Sequence, residues 1–374
     1  MIVLHVSYAD NKFFAWGERS FRSDSLTAPL AISGSGMPRM PWDAGSLAVH
    51  DILKTAGIRH TRKIPAESSV AAYVDLPSYN GFPLPSSPLL GELPETGGEP
   101  SAERFSVESI HITHEELISL FQLIKDSREK LPVPGLLWGN DLKYVLKALE
   151  YASLMVMRGT YLPGMGSSDG SYFSVWRPLH LAKYQDGYSA YVNALPPVTA
   201  SFSLASEAGE PVGATNIADS ILEAFLEEIV RKAQAVPGRR GKQVDQTNLH
   251  DIWLRSLTWP KSALQRWNEE MGPLCSQIEE WIDSVRVVTN QPWRLFLRLE
   301  EPLSGNAEGT WTLSWHLQSA MDQTLTVPAE KVWSPGPAER KWFRASGANP
   351  RRYLLQLRGQ ISSSVPAIAS SLNQ

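Results

Sequence analysis

One cysteine, Cys275, is all that 374 residues provide. A disulfide within the chain is therefore impossible, which excludes the small, disulfide-stapled secreted class and makes a reducing cytoplasm the best fit. Long apolar runs are missing as well: none approaches the roughly 20 residues that a membrane span needs. Met1-Ile2-Val3-Leu4-His5-Val6 is apolar only briefly and has no basic stretch before it, so it reads as a first strand and not a signal peptide. An overall positive charge is lacking too, with 35 Lys and Arg against 39 Asp and Glu and a formal net charge of -4. Any hold on nucleic acid must then come from local clusters.

The machinery of nucleotide hydrolysis is absent. A phosphate loop needs glycines whose amides cradle phosphates, then Lys and a hydroxyl for the terminal phosphate and metal. The nearest stretch, Gly238-Arg239-Arg240-Gly241-Lys242-Gln243, has Val236 at the first Gly position and Gln243 at the hydroxyl position, and no acidic box follows. Gly164-Met165-Gly166-Ser167-Ser168-Asp169-Gly170 has its third Gly one residue late for a dinucleotide turn and no βαβ unit after it, so a loop is expected. Cys275 reads as a packing thiol in the first turn of an amphipathic helix. His111 and His114, three apart and followed by Glu115 and Glu116, have the spacing of metal ligands on one helical face, but no third ligand cluster accompanies them. A helix start explains them better, because acids suit the positive end of the helix dipole. No catalytic residue, metal or cofactor is expected.

What the chain does have is ordinary globular material, 43% hydrophobic and 20% charged, in a length that suits two or three domains. Its 13 tryptophans point to extensive cores or partner surfaces. Residues 2–6 and 12–16 are β-prone runs around a turn-rich spacer, which predicts an N-terminal hairpin. The 23–60 stretch is irregular, and 82–104, dense in Pro, Gly, Ser and Glu, reads as a linker or mobile loop. Thr113-His114-Glu115-Glu116 has capping-box form ahead of Leu117, Leu120, Phe121 and Ile124 on one helical face. A second helix is expected from Asn140 or Asp141, a short strand over 172–176, and further helices around 221–230 and 274–285.

The clearest strands come late, where Trp293, Leu295, Leu297 and Leu299 alternate with Arg294, Phe296 and Arg298, and Trp311, Leu313, Trp315 and Leu317 alternate with Thr312, Ser314 and His316. They predict an antiparallel pair with one apolar face on a core. The expected fold class is α+β, with a short N-terminal β-hairpin region, a mainly helical middle and an antiparallel strand pair or small sheet near the C-terminus. Its expected parts are 1–81, the 82–104 linker, a helical domain over 105–288 and a final α+β region over 289–374.

Two basic clusters stand out. One comprises Arg231, Lys232, Arg239, Arg240 and Lys242; the other comprises Arg340, Lys341, Arg344, Arg351 and Arg352 with Trp342 and Phe343 interleaved. The second is the better nucleic-acid candidate, since aromatic faces stack bases while cations meet phosphates; a solvated charged face is the default for both.

The late strands carry a resemblance. Trp293 to Pro302, Trp311-Thr312-Leu313-Ser314-Trp315-His316-Leu317-Gln318-Ser319, Asp322 to Ala329, and Val332-Trp333 look like the helicase-associated domain ahead of the motor in bacterial SWI/SNF-like DNA helicases. Leu4-His5 with Trp16-Gly17-Glu18, Arg158 to Pro163, Trp176-Arg177-Pro178 and Trp253-Leu254 resemble the same N-terminal region, in order along the chain. Met321 stands where that family has Asp, and Gln323-Thr324 replace Pro-Ser. The resemblance implies a parent that is a superfamily II ATPase translocating on double-stranded DNA. It implies for this chain, which lacks the motor, an accessory role toward the motor domains and double-stranded DNA. The alternative is a stand-alone interaction or scaffold protein derived from such a helicase, as in a phage-defence system.

Overall fold

The computed structural model describes residues 1–22, 30–34, 36–58, 69–91, 99–126, 133–168, 170–205, 213–234, 248–258, 264, 268–289, 292–300, 312–320, 322, 324–345, 349–355 and 357. The fold is α+β, in two compact units: Met1–Leu179 with Gly187–Ile278, and His180–Asp186 with Glu279–Gln374. No helix among the described residues is long and apolar enough to cross a membrane.

The first unit is built on a seven-stranded sheet. Strands β1 (Ile2–Ala9) and β2 (Lys12–Arg19) pair through the full length of both. The hairpin is longer than its apolar runs suggest because Asp10 and Asn11 both take positive φ, 45° and 55°, the two-residue turn that matches strand twist. The same device recurs at Asn80-Gly81, between β3 (Ser69–Tyr79) and β4 (Phe82–Pro83). Strand β5 (Ser101–Ile112) pairs with both β3 and β2, so both ends of the 82–104 segment lie in strands. A Pro- and Glu-rich composition hid those strands because one end carries the turn and the other is an exposed, polar strand end. Strand β6 (Leu136–Trp138) adds to β1 in parallel, giving the order β4-β3-β5-β2-β1-β6, and β9 (Ser203–Leu204) lies beside β3.

Both sheet faces are covered, which is why β1 and β2 read as near-continuous apolar runs. Leu4, Val6, Phe13, Ala15, Ile110 and Ile112 face a layer containing α1 (Ser46–Thr55), α2 (His114–Asp126), α3 (Asn140–Arg158) and α6 (Ala214–Gln234). The opposite face buries Phe14, Trp16, Trp42, Val74, Phe105 and Phe202. Helix α2 opens on the expected capping box: the Glu116 N–H donates to Thr113 Oγ1 at 3.2 Å and the Thr113 N–H to Glu116 Oε2 at 2.8 Å. Helix α3 starts at Asn140 as its pattern predicts and stops at Gly159, whose φ of 64° is the left-handed cap that glycine tolerates. The expected loop over 164–170 is instead largely strand. β7 (Tyr161–Ser168) pairs with β8 (Ser171–Pro178), and Gly166 lies against the Phe173 ring, where a side chain would not fit. Helices α4 (Gln185–Asn193), α5 (Pro197–Ser201), α7 (Leu249–Ser256) and α8 (Asn268–Thr289) complete the helical set up to residue 289. Cys275 falls two turns into α8, later than expected, and is half-buried.

The second unit contains the late strand pair. Strands β10 (Trp293–Glu300), β11 (Thr312–Ser319) and β12 (Thr326–Pro328) form an antiparallel sheet in that order, with Leu295 opposite Leu317 and Leu297 opposite Trp315. Trp293 and Leu317 are fully buried against Val332, against Phe343 of α9 (Pro337–Ala345) and against Tyr353. Burial then fades along the same apolar face: Trp315 is half-buried, while Leu297, Leu299 and Leu313 are exposed. Trp311 lies outside the described residues.

This gradient sets an expectation. Trp293→Ala should cost about 3–5 kcal/mol, and Leu299→Ala no more than about 0.5 kcal/mol, read as shifts in denaturant midpoint. Equal losses at the two positions would contradict the gradient.

Candidate functional site

The register of the first hairpin puts His5 opposite Trp16, on the same face as Glu18 two residues on. The imidazole stacks on the Trp16 indole, ring centres 4.1 Å apart and planes 14° from parallel. Its Nδ1 lies 2.8 Å from Asp141 Oδ1, at the start of α3, and its Nε2 lies 3.4 Å from Glu18 Oε1. All three residues are buried, Glu18 and Asp141 completely. Ser86, which follows β4, joins from an exposed position. Its hydroxyl donates to Glu18 Oε1 at 2.6 Å, its N–H donates to Glu18 Oε2 at 2.8 Å, and its Oγ stands 3.3 Å from His5 Nε2.

Four residues that are far apart in the sequence thus converge on one point. Burial alone would lower the His5 pKa, but the charge and hydrogen bonds of Asp141 and Glu18 outweigh it and raise it from 6.5 to about 10. At neutral pH the ring is therefore an imidazolium between two carboxylates. Asp141 Oδ2 is buried without a hydrogen-bond partner, and it sits in the first turn of α3, where the helix dipole favours a negative charge. Gly139 precedes that turn with its N–H bonded to the Leu4 carbonyl at 2.8 Å. A Cβ at this position would overlap both Asp141 Oδ1 and His5 Nδ1.

The cluster is not sealed. His5, Ser86 and Asp141 form part of the wall of a cavity of about 660 Å3, together with Val3, Leu76, Leu84, Leu137, Trp138 and Val198 among others, while Glu18 lies behind that wall. A mostly apolar pocket with a few convergent, perturbed polar groups is the usual form of a small-molecule site. Leu4-His5 and Trp16-Gly17-Glu18 stand out in the sequence, but nothing there links them to Ser86 or Asp141. Only the fold does.

The basic residues anticipated from sequence separate into three groups. Arg231 is interior: it pairs with Glu227 at 2.8 Å and donates to the Ser174 and Ser256 carbonyls at 2.9 and 2.6 Å. Lys232 is paired with Glu115 and Glu228. Arg231 therefore serves the packing of α6, and Lys232, though exposed, has its charge matched by two carboxylates. Arg239, Arg240 and Lys242 lie outside the described residues.

The third group is brought together in the second unit. Arg340, Arg344 and Arg351 line one hollow of about 590 Å3 with Val332, Phe343 and Pro350. No carboxylate pairs with them among the described residues. Arg340 donates to the Pro335 carbonyl at 2.9 Å, and Arg351 to those of Val332 and Trp333 at 3.2 and 2.8 Å, so both also pin the chain before α9. Lys341, Arg344 and Arg352 are exposed. The interleaved aromatics are not free for stacking in the expected way. Phe343 is buried edge-on to Trp293, and Trp342 is half-buried against the same core. The exposed aromatic is Trp333, whose ring lies 5.6 Å from the Arg351 guanidinium.

The His111 ring, at an exposed position, lies edge-on to Phe14, and the His114 ring lies edge-on to Phe13 and Phe225. Among the described residues no group of three or more His, Cys, Asp or Glu is placed to hold a metal. No family model matches the chain, and no curated protein or solved structure matches it.

Two outcomes are expected for the buried cluster. The folded-state pKa of His5 is raised above its ordinary value, so the stability it contributes is fully present below pH 6.5 and is lost as pH rises through about 10. Denaturant unfolding between pH 6 and 10 should show the wild type weakening across that window. His5→Gln should be weaker by about 3–5 kcal/mol at pH 6 and flat through it; a parallel slope in both proteins would remove His5 as its source. Gly139→Ala should cost about 1–3 kcal/mol, the usual range for overpacking, and return the His5 ring resonances toward ordinary titration by NMR.

Proposed function

We propose that the chain is an accessory module of an ATP-dependent, SWI/SNF-like DNA translocase, supplying no nucleotide hydrolysis itself and contacting double-stranded DNA or the motor through its second unit. The observation that carries this reading is the hollow where Arg340, Arg344 and Arg351 converge without a carboxylate partner among the described residues. Cations with donors to spare are what a phosphate backbone requires, and Lys341 and Arg352 add charge on the same unit. The reading also draws on the likeness of Trp293 to Pro302, Trp311 to Ser319 and Asp322 to Trp333 to the helicase-associated domain.

A second reading has its own observation. The exposed end of the β10–β11 face, with Leu297, Leu299 and Leu313 beside half-buried Trp315, suits a protein partner, as in a stand-alone scaffold protein derived from such a helicase.

The two readings are separated by titrating duplex DNA at several salt concentrations. Lys341→Glu with Arg344→Glu should leave the fold intact, weaken binding by tenfold or more at low salt and flatten the slope of log affinity against log salt by about 2. Unchanged affinity would pass the second unit to the protein-partner reading. Arg351→Ala differs in kind, since it also removes two donors to backbone carbonyls, and should lower thermal stability as well as affinity.

A further inference from the structure

The cavity of the first unit has at its wall the Ser86 hydroxyl, the His5 ring and the Asp141 carboxylate, with the fully buried Glu18 carboxylate in contact with the first two from behind, and the accessory reading uses none of them. Ser86 is the exposed member. Its Oγ–H points at Glu18 Oε1, 2.6 Å away, and its Oγ also lies 3.3 Å from His5 Nε2. Asp141 at 2.8 Å holds the far ring nitrogen and so fixes which face of the imidazole meets the serine. A nucleophile touching a base and an acid, with one of them oriented by a further group, is the arrangement of covalent acyl transfer.

We propose that Ser86 is the nucleophile of an acyl-transfer site that hydrolyses small esters or thioesters, with Glu18 as general base and the His5 imidazolium as general acid. In acylation the Ser86 Oγ bonds to the acyl carbon and its proton passes to Glu18. The bond from the acyl carbon to the leaving alcohol or thiol breaks, and His5 Nε2 supplies the proton that this group takes away. Transfer of the proton from Glu18 to His5 across their 3.4 Å contact then restores both. Water completes the cycle: it gives a proton to Glu18 as its oxygen bonds to the acyl carbon, Ser86 leaves with a proton from His5, the carboxylic acid is released, and a second transfer from Glu18 to His5 restores both groups.

The substrate class follows from the walls. Leu76, Leu84, Leu137, Trp138 and Val198 suit an apolar acyl chain, and about 660 Å3 accommodates a small molecule and not a folded protein. Asn140 and Asp141 also line the cavity, at the positive end of the 19-residue helix α3. The N–H groups of that first turn have no acceptor within the helix, so the oxyanion formed at the acyl carbon meets a positive field.

The full chain is the material for the test. Incubation with a fluorophosphonate should yield a single adduct by intact mass, mapped to Ser86 by peptide analysis, and a p-nitrophenyl ester of a short fatty acid should give a burst of nitrophenol near one equivalent. Ser86→Ala should keep its circular dichroism spectrum, melt somewhat lower for want of the hydrogen bond to buried Glu18, and lose both signals. Glu18→Gln should slow adduct formation at least a hundredfold. Should Glu18→Gln not fold, Lys143→Ala at the cavity rim and a series of acyl lengths supply the second readout, with rates expected to peak at one chain length. Absence of any adduct, an adduct elsewhere in the chain, or labelling no faster than in the urea-unfolded protein would overturn the proposal. DNA affinity is measured on the same preparations, so failure here and failure of the accessory reading are seen separately.

Discussion

The first unit depends on where it has put its buried charge. His5, Glu18 and Asp141 come from a strand, its hairpin partner and the start of a helix, and their pairing joins the sheet to α3 through side chains that are almost wholly buried. Taking these groups from water costs several kcal/mol each, which only close geometry repays. Every neighbouring element contributes to that geometry. Trp16 stacks beneath the imidazole, Gly139 leaves room for the pair, and the Ser86 N–H and hydroxyl fill the lone pairs of Glu18. Two carboxylates against one imidazolium leave an excess negative charge, and the positive end of α3 is the local feature that offsets it. A packed apolar substitute of equal volume would hold the same elements together without this requirement. Retention of the charged version on the wall of an open cavity is what makes it a functional candidate and more than a clamp.

Elements with a single exposed face were the legible ones. The capping box at Thr113, the stripe of α3 and the alternation of β10 with β11 each follow from a period that a half-buried element must obey. Strands β3 and β5 went unread: β3 alternates in burial, but its buried positions include small Ala72 and Ser78 and so carry little apolar signal, and the composition of 82–104 favoured a loop over the start of β5. The site was less legible still. His5 and Glu18 are visible as part of a resemblance, but the distance from His5 to Asp141 spans 136 positions, and no local pattern encodes a pairing of that separation. His111 and His114 read as the approach to a helix start, and α2 does begin at His114.

Arginine in this chain illustrates how little a count of cations says about a surface. Arg231 and Arg351 look alike in sequence, each beside a second basic residue. Arg231 is enclosed by Glu227 and two carbonyls and serves the interior. Arg351 spends two donors on carbonyls and keeps its guanidinium beside exposed Trp333, at the rim of a hollow. The guanidinium fork allows both uses, since its five donors lie in one plane and can be divided between structure and ligand.

Strand β6 is only three residues long, yet it closes the free edge of β1 in parallel, and it immediately precedes the helix that brings in Asp141. During synthesis the N-terminal hairpin therefore exists for well over a hundred residues with that edge open and its histidine lacking one of its two counterions. An open strand edge is a template for pairing between chains, and contacts so distant in sequence form late. The β1–β2 hairpin thus relies on residues 136–138, made much later, to cover that edge.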